Sequence, residues 1–152
     1  MIVEGIAGLE AIAGRETGVG EWFIVTQDRI DRFAAVTEDR QWIHVEPDRA
    51  LRESPFGGPV AHGFLTVSLL PTLIHQAVEV RGDFKLSVNY GFNRLRFTSP
   101  VPAGSRIRAR VTPRSVKQVK GGHEIHWDVS VEIEGREKLA LVAEWITRLY
   151  DA

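Results

Sequence analysis

One segment decides the fold of this chain, residues 61–75, which has the sequence AHGFLTVSLLPTLIH. Apolar side chains recur around every side of a helix drawn over this segment, so we predict a central helix that is buried on most sides. Pro71 lies inside the segment, where proline removes a backbone hydrogen bond, and we expect a bend near it. The segment is shorter than the roughly 20 apolar residues that a membrane span needs.

The residues after this segment alternate between apolar and polar side chains, as strands do when one face is buried. The clearest alternation covers residues 125–133, and two turn signals flank it, GG at 121–122 and EG at 134–135. Residues 139–149 are apolar on both faces, which is typical of a strand inside a sheet. We therefore predict an α+β architecture, an antiparallel sheet wrapped around the central helix. Such a sheet leaves an edge strand that commonly pairs with a second copy, so we expect a homodimer.

Shorter elements are expected before the central segment. Residues 21–26 (EWFIVT) predict a short strand, and Thr26 can cap a helix over about residues 27–36. Pro47 suits the first turn of a second helix, which should end near residue 54. The stretch 54–59 (SPFGGP) is rich in glycine and proline and predicts a loop.

Length and composition predict a single globular domain over residues 1–152, with 43% hydrophobic and 26% charged residues. Nineteen Lys and Arg balance twenty Asp and Glu, which argues against nucleic acid or an anionic membrane as the main partner. The chain has no cysteine and no signal-peptide pattern at its start, so we expect a cytoplasmic protein without disulfides. No Gly-rich phosphate loop, nucleophile elbow or HExxH motif occurs. We expect neither a metal nor a cofactor.

An acidic residue and an imidazole, Asp39 and His44, lie five residues apart in the segment DRQWIH, in a loop after a predicted helix. Their ordinary pKa values, near ~3.9 and ~6.5, allow either group to activate a water molecule held between them. Alternatively, Asp39 caps a turn and His44 is a half-buried residue with its hydrogen bonds satisfied.

Gly63 stands at the start of the central helix, in the segment PVAHG (residues 59–63). A helix N-terminus has unpaired N–H groups and the positive end of the helix dipole, which suit a developing oxyanion. Without a side chain, Gly63 also lets a ligand approach the backbone closely. Alternatively, the glycine only lets the helix pack tightly against the sheet.

Two blocks resemble the MaoC-like dehydratase family of the hot-dog fold: residues 39–47 (DRQWIHVEP) and residues 56–64 (FGGPVAHGF). The family places an Asp and a His five residues apart, then an acidic-Pro pair, and later a His-Gly pair that opens the central helix. Residues 89–97 (NYGFNRLRF) and 100–105 (PVPAGS) are similar to the strand and turn that follow this helix. The likeness covers roughly residues 33–108, and within the family it is nearest to a subgroup similar to nodulation protein N.

The resemblance implies (R)-specific hydration of trans-2-enoyl-CoA thioesters, or the reverse dehydration. In such an enzyme Asp39 and His44 hold and activate the water that adds at C3, and the same water supplies the proton that goes to C2. The backbone N–H of Gly63 polarises the thioester carbonyl. We further expect Trp42 and two residues beside Gly63, His62 and Phe64, to contact the acyl-CoA substrate.

The chain also departs from the family. Gln41 and Trp42 stand where most members have Asn-Pro between the catalytic residues, so Trp42 is a candidate for lining the acyl pocket. A serine that some members carry on the central helix is replaced by Pro71. Two alternatives remain, a hot-dog thioesterase and an acyl-thioester binding module without activity. The thioesterase is disfavoured because no Asp or Glu occurs between residues 63 and 78.

Overall fold

The computed structural model describes residues 1–152, and its long strands all follow the central helical segment, as the alternation predicts. The helices are α1 (Gly5–Ala11), α2 (Gln27–Thr37), α3 (Trp42–Val45), α4 (Pro47–Glu53), α5 (Gly63–Ser68) and α6 (Leu70–Ala77). The strands are β1 (Ile2–Glu4), β2 (Gly18–Val19), β3 (Phe23–Ile24), β4 (Glu79–Arg81), β5 (Phe84–Phe97), β6 (Arg106–Val119), β7 (Gly122–Ile133) and β8 (Leu141–Asp151).

A six-stranded antiparallel sheet forms the body of the molecule, in the order β2-β6-β7-β8-β5, with β3 also paired to β6. The prediction of an inner strand over residues 139–149 is confirmed, because β8 lies between β7 and β5. Strand β5 is an edge strand, paired along one side only. The sheet covers the central helices in the hot-dog arrangement that the resemblance implies. A separate parallel pair, β1 with β4, has no signal in the sequence.

The central segment forms two helices rather than one bent helix. Helix α5 ends at Ser68, and α6 begins at Leu70 with Pro71 in its first turn, where proline costs no backbone hydrogen bond. The bend expected near Pro71 is therefore present as a break between the two helices. The prediction of burial on most sides is wrong for the single chain: Leu70, Leu73, Ile74 and Ala77 are buried, but the opposite face of α6 is exposed.

The apolar face of the sheet and the buried side of α6 form one hydrophobic core. The apolar residues predicted to alternate along 125–133 are all buried in it. Within the core, the Trp127 indole donates to the Thr147 hydroxyl at 2.9 Å, which satisfies both buried polar groups.

Charged side chains cover the outer face of the sheet and pair with one another. Arg108 and Arg110 both bind Glu132, and Arg110 also binds Glu16. Burial acts to raise the pKa of Glu132, but hydrogen bonds from the two arginines outweigh it, so its pKa is lowered. These arginines are therefore engaged within the protein.

The helices before the central segment largely follow their sequence signals. Thr26 caps α2 by accepting a hydrogen bond from the Arg29 N–H at 3.2 Å, and Pro47 begins α4, as predicted. Of the strand expected over residues 21–26, only the two residues of β3 are in a strand. The short helix α3 has no signal in the sequence. None of the helices has both the length and the apolar character needed to cross a membrane.

Candidate active site

Two hydrogen bonds with the backbone of Val60 hold Ile43 and His44 against the segment that leads into α5. The Val60 N–H donates to the Ile43 carbonyl at 3.0 Å, and the His44 Nδ1 lies 2.6 Å from the Val60 carbonyl oxygen. Because a carbonyl oxygen only accepts, Nδ1 carries a proton and donates it. Nε2 is then the ring nitrogen whose lone pair is free to accept a proton from water.

Burial also prepares His44 to act as a base. The residue is 7% exposed, and this loss of solvent lowers its pKa from the ordinary value of 6.5. The hydrogen bond to the Val60 carbonyl and the nearby Asp39 oppose the shift, whereas His62 adds to it. The lowered pKa keeps the His44 ring neutral at neutral pH.

Asp39 follows the end of α2 on an unusual backbone turn. Glu38 adopts the left-handed conformation with φ 63°, the one non-glycine residue of the chain with a positive φ, and it reverses the chain after Thr37. A non-glycine residue in this region stores strain that other contacts must offset. The turn brings Asp39 next to His44, with the carboxylate at the exposed rim and the imidazole in the buried wall.

Gly63 is the first residue of α5, where a backbone N–H has no partner inside the helix. The carbonyl of His62 accepts from the N–H groups of Leu65 and Thr66 and so begins the helix, whereas the Gly63 N–H takes part in no hydrogen bond of the protein. A Cβ on Gly63 would lie 3.0 Å from ring atoms of Phe97. Glycine therefore lets the Phe97 ring pack closely against the first residue of α5.

His44 and Gly63 line one cavity of about 340 Å³, together with Phe56, Thr66 and Phe97. Most of its wall is apolar, and His44 and Gly63 add an imidazole and a main-chain segment to it. The structure thus places Asp39 beside His44, and it places His44 and Gly63 along the wall of one cavity that Asp39 does not line.

The three residues expected to contact substrate lie in different surroundings. Trp42 packs against the guanidinium of Arg49, 4.5 Å from its ring centre, and does not line the cavity. Phe64 is 67% exposed and meets Phe97 edge-on with ring centres 6.0 Å apart. His62 is 2% exposed and lies behind His44, so within one chain its side chain has no access to the cavity.

Several groups at the site have no side-chain signal in the sequence. The Val60 carbonyl sets the tautomer of His44, but any residue could supply it. Gln27 lies in α2 and donates from its amide to the His44 carbonyl at 2.7 Å. Phe97 ends a strand in an ordinary alternating pattern, and only its proximity to Gly63 makes it part of the site.

Asp39, His44 and His62 each offer a possible metal-ligating atom, and these three atoms lie within 4.8 Å of one another. Two of the four ring nitrogens are already engaged with backbone carbonyls, those of Val60 and Asp39. One nitrogen of each ring and one carboxylate oxygen thus remain as potential ligands for a cation.

Comparison with known proteins identifies the protein family to which this chain is similar. The family described as MaoC like domain matches residues 9–135. The chain is 46% identical to 3-hydroxyacyl-thioester dehydratase Z of Mycobacterium tuberculosis over 146 residues, which cover 95% of each protein. It is 44% identical to nodulation protein N of Rhizobium leguminosarum bv. viciae, over 93% of this chain and 89% of that protein.

Among solved structures, the chain is similar to the (R)-hydratase from A. caviae involved in PHA biosynthesis. The two superpose with a TM-score of 0.67 at 25% identity, over 90% of this chain and 98% of the other.

Proposed function

The chain belongs to the MaoC-like dehydratase family of hydro-lyases, and on this premise we propose that it hydrates trans-2-enoyl thioesters to (3R)-3-hydroxyacyl thioesters, or catalyses the reverse dehydration. One observation carries the proposal. The His44 Nδ1 donates to the Val60 carbonyl, which leaves Nε2 free to accept, and His44 lines a cavity with Gly63 and has Asp39 beside it.

In the proposed reaction one water molecule lies between Asp39 and the His44 Nε2. Asp39 orients the water and His44 accepts a hydrogen bond from it, which makes its oxygen more nucleophilic. The oxygen bonds to C3 of the enoyl group as the C2–C3 double bond opens. C2 then receives a proton that originates from the same water, so that H and OH add to one face.

The thioester carbonyl points at the Gly63 N–H in this proposal. Addition at C3 moves negative charge through C2 onto the carbonyl oxygen, and a fixed N–H stabilises this charge more strongly in the transition state than in the substrate. Because Gly63 has no partner for its N–H within the protein, it loses no existing hydrogen bond when it binds the carbonyl.

We infer that the substrate is an acyl-CoA thioester and that the protein uses no bound metal or cofactor in the reaction. The apolar cavity of about 340 Å³ supports an acyl chain as the bound group. A thioesterase is disfavoured because α5 and α6 carry no carboxylate that could act on the thioester carbon.

We also propose that two copies of the chain form a homodimer through β5. This strand is an edge of 14 residues, and it exposes Leu86, Val88 and Tyr90. An unpaired edge of this length with exposed apolar side chains favours pairing with a second sheet. The exposed Phe64 and the exposed face of α6 would lie near such an interface.

The proposal is tested by following the loss of enoyl-thioester absorbance with crotonyl-CoA and with a longer trans-2-enoyl-CoA. The parent should turn over at least one of them. Asp39→Asn and His44→Gln should each lower kcat by about 10²–10⁴-fold, the range for loss of a general acid or base. Asp83→Asn and His75→Gln are matched controls, because they make the same changes at exposed positions outside the cavity.

Three outcomes would contradict the proposal. Release of CoA thiol without hydroxyacyl product would identify a thioesterase. Binding of acyl-CoA without turnover would identify a binding module. Equal losses in the control variants would remove Asp39 and His44 from the reaction.

A further inference from the structure

His62 occupies a place that its predicted contact with substrate does not explain. Its imidazole is 2% exposed and is enclosed by two other rings. The His44 ring stacks on it with centres 3.8 Å apart and 25° between the planes, and Phe33 of α2 packs at 5.0 Å. His62 therefore packs against His44, which lines the cavity, but does not line the cavity itself.

The imidazole of His62 is fixed to the loop that carries Asp39. Its Nε2 lies 2.9 Å from the backbone carbonyl oxygen of Asp39, and because that oxygen only accepts, Nε2 must donate. The Asp39 carboxylate has no hydrogen bond to the rest of the protein, so the backbone alone sets its position. That backbone is held at its N–H by the Thr37 hydroxyl at 3.4 Å and at its carbonyl by His62.

The main chain of His62 is tied to the third part of the site. His62 directly precedes Gly63, and its own carbonyl accepts the first hydrogen bonds of α5, from Leu65 at 3.1 Å and from Thr66 at 3.3 Å. One residue thus joins the free N–H of Gly63, the ring of His44 and the backbone of Asp39.

Packing alone gives no reason for an imidazole here. The second ring nitrogen of His62, Nδ1, is buried and has no hydrogen-bond partner, which costs stability. A phenylalanine would fill nearly the same space between His44 and Phe33 without burying an unpaired nitrogen. What the imidazole adds is the hydrogen bond from Nε2 to the Asp39 carbonyl.

We propose that His62 is a positioning residue that holds Asp39 and His44 in register with the Gly63 N–H. The role rests on the proposed function, since register matters only if these three groups act on one substrate. It replaces the expectation that His62 contacts the substrate. Displacing a reacting group by about 1 Å can cost about 10²-fold in rate, so one lost link has a measurable effect.

Two variants separate the hydrogen bond from the ring. His62→Phe keeps a ring against His44 and removes the donor, whereas His62→Gln keeps an amide N–H at the same number of bonds from Cα and removes the ring. Phe33→Leu is the matched control, because it loosens packing on the other face of His62 and leaves its hydrogen bond in place. Each variant is assayed for kcat and KM with crotonyl-CoA and for its melting temperature.

We expect His62→Phe to melt no lower than the parent, to keep KM within about twofold, and to lose about 10- to 100-fold in kcat. His62→Gln should recover part of that loss despite its missing ring. Phe33→Leu should melt lower and keep its kcat. A packing role would produce the opposite order, with kcat following the melting temperature.

Other results would overturn the proposal. A raised KM with unchanged kcat in His62→Phe would indicate direct contact with substrate. Loss of parent activity in a chelator, restored by Zn²⁺, would make His62 a metal ligand. An active parent with an unaffected His62→Phe would refute the positioning role alone, whereas a parent without turnover would refute the proposed function and this role together.

Discussion

Replacing Gly63 by proline removes one hydrogen-bond donor from the site and leaves α5 able to form. Gly63 is the first residue of the helix, where proline is favoured, and its N–H makes no hydrogen bond within the protein that could be lost. The preceding residue, His62, has φ −59° and ψ 137°, the extended conformation that proline requires before it. The substitution should therefore affect chemistry more than folding.

The size of the effect follows from the proposed role of the N–H. A donor aimed at a developing oxyanion contributes about 2.7–4 kcal/mol, so its loss should lower kcat by about 10²–10³-fold. Proline also adds a Cβ, which would lie 3.0 Å from the Phe97 ring and push it by a few tenths of an ångström. Because Phe97 lines the cavity, this second effect must be measured separately.

Gly63→Ala provides that control, because it adds the same Cβ and keeps the N–H. Both variants are assayed for hydration of crotonyl-CoA and for their melting temperatures. We expect the alanine variant to retain about 10²–10³-fold more kcat than the proline variant, with similar stabilities. Equal activity in two folded variants would refute the assignment of the Gly63 N–H to the thioester carbonyl.

Three further predictions concern stability and assembly. Burial lowers the pKa of His44, so His44 binds a proton more readily in the unfolded chain than in the folded one as the pH falls. The free energy of unfolding should therefore decrease below about pH 6.5. The melting temperature of His44→Gln should decrease less than that of the parent between pH 7.5 and 5.5. Thr147→Val leaves the buried Trp127 N–H without its acceptor and should cost about 1–3 kcal/mol in urea unfolding; an unchanged unfolding midpoint would show that this hydrogen bond adds no stability. The parent should sediment as a dimer. Val88→Lys places a charge on the unpaired edge of β5 and should sediment as a monomer. A variant that stays dimeric would locate the interface elsewhere.

The parts of the fold that the sequence predicts are those with local causes. Thr26 caps α2 with its own side chain, Pro47 is preset for a first helical turn, and the alternation over 125–133 follows from a sheet with one buried face. These signals act within a few residues, so they survive in any tertiary context. The same holds for Gly121, whose φ of 79° makes the turn between β6 and β7.

What the sequence does not predict depends on distant partners. An apolar pattern does not say which neighbour covers it, so the exposed apolar residues of β5 look like core residues in the sequence. The parallel pair β1–β4 joins residues far apart in the chain, and neither strand has more than three residues.

The residues of the candidate site also fall into two groups, those with a local signal in the sequence and those that depend on distant partners. Asp39, His44 and Gly63 belong to side-chain and glycine patterns, and the structure places Asp39 beside His44 and His44 in one cavity wall with Gly63. The Val60 carbonyl, which fixes the tautomer of His44, is a backbone group and leaves no trace in the sequence. His62 stands beside Gly63 in the sequence, but only the fold shows that its ring donates to the Asp39 carbonyl.

The central claim is that this chain adds water across the double bond of an enoyl thioester from one face. The most direct test is the configuration of the product formed from crotonyl-CoA in D₂O, determined by chiral chromatography and NMR. We expect (3R)-3-hydroxybutyryl-CoA with a single deuterium at C2, on the same face as the new hydroxyl. A (3S) product, deuterium on the opposite face, or free CoA with crotonate would contradict it.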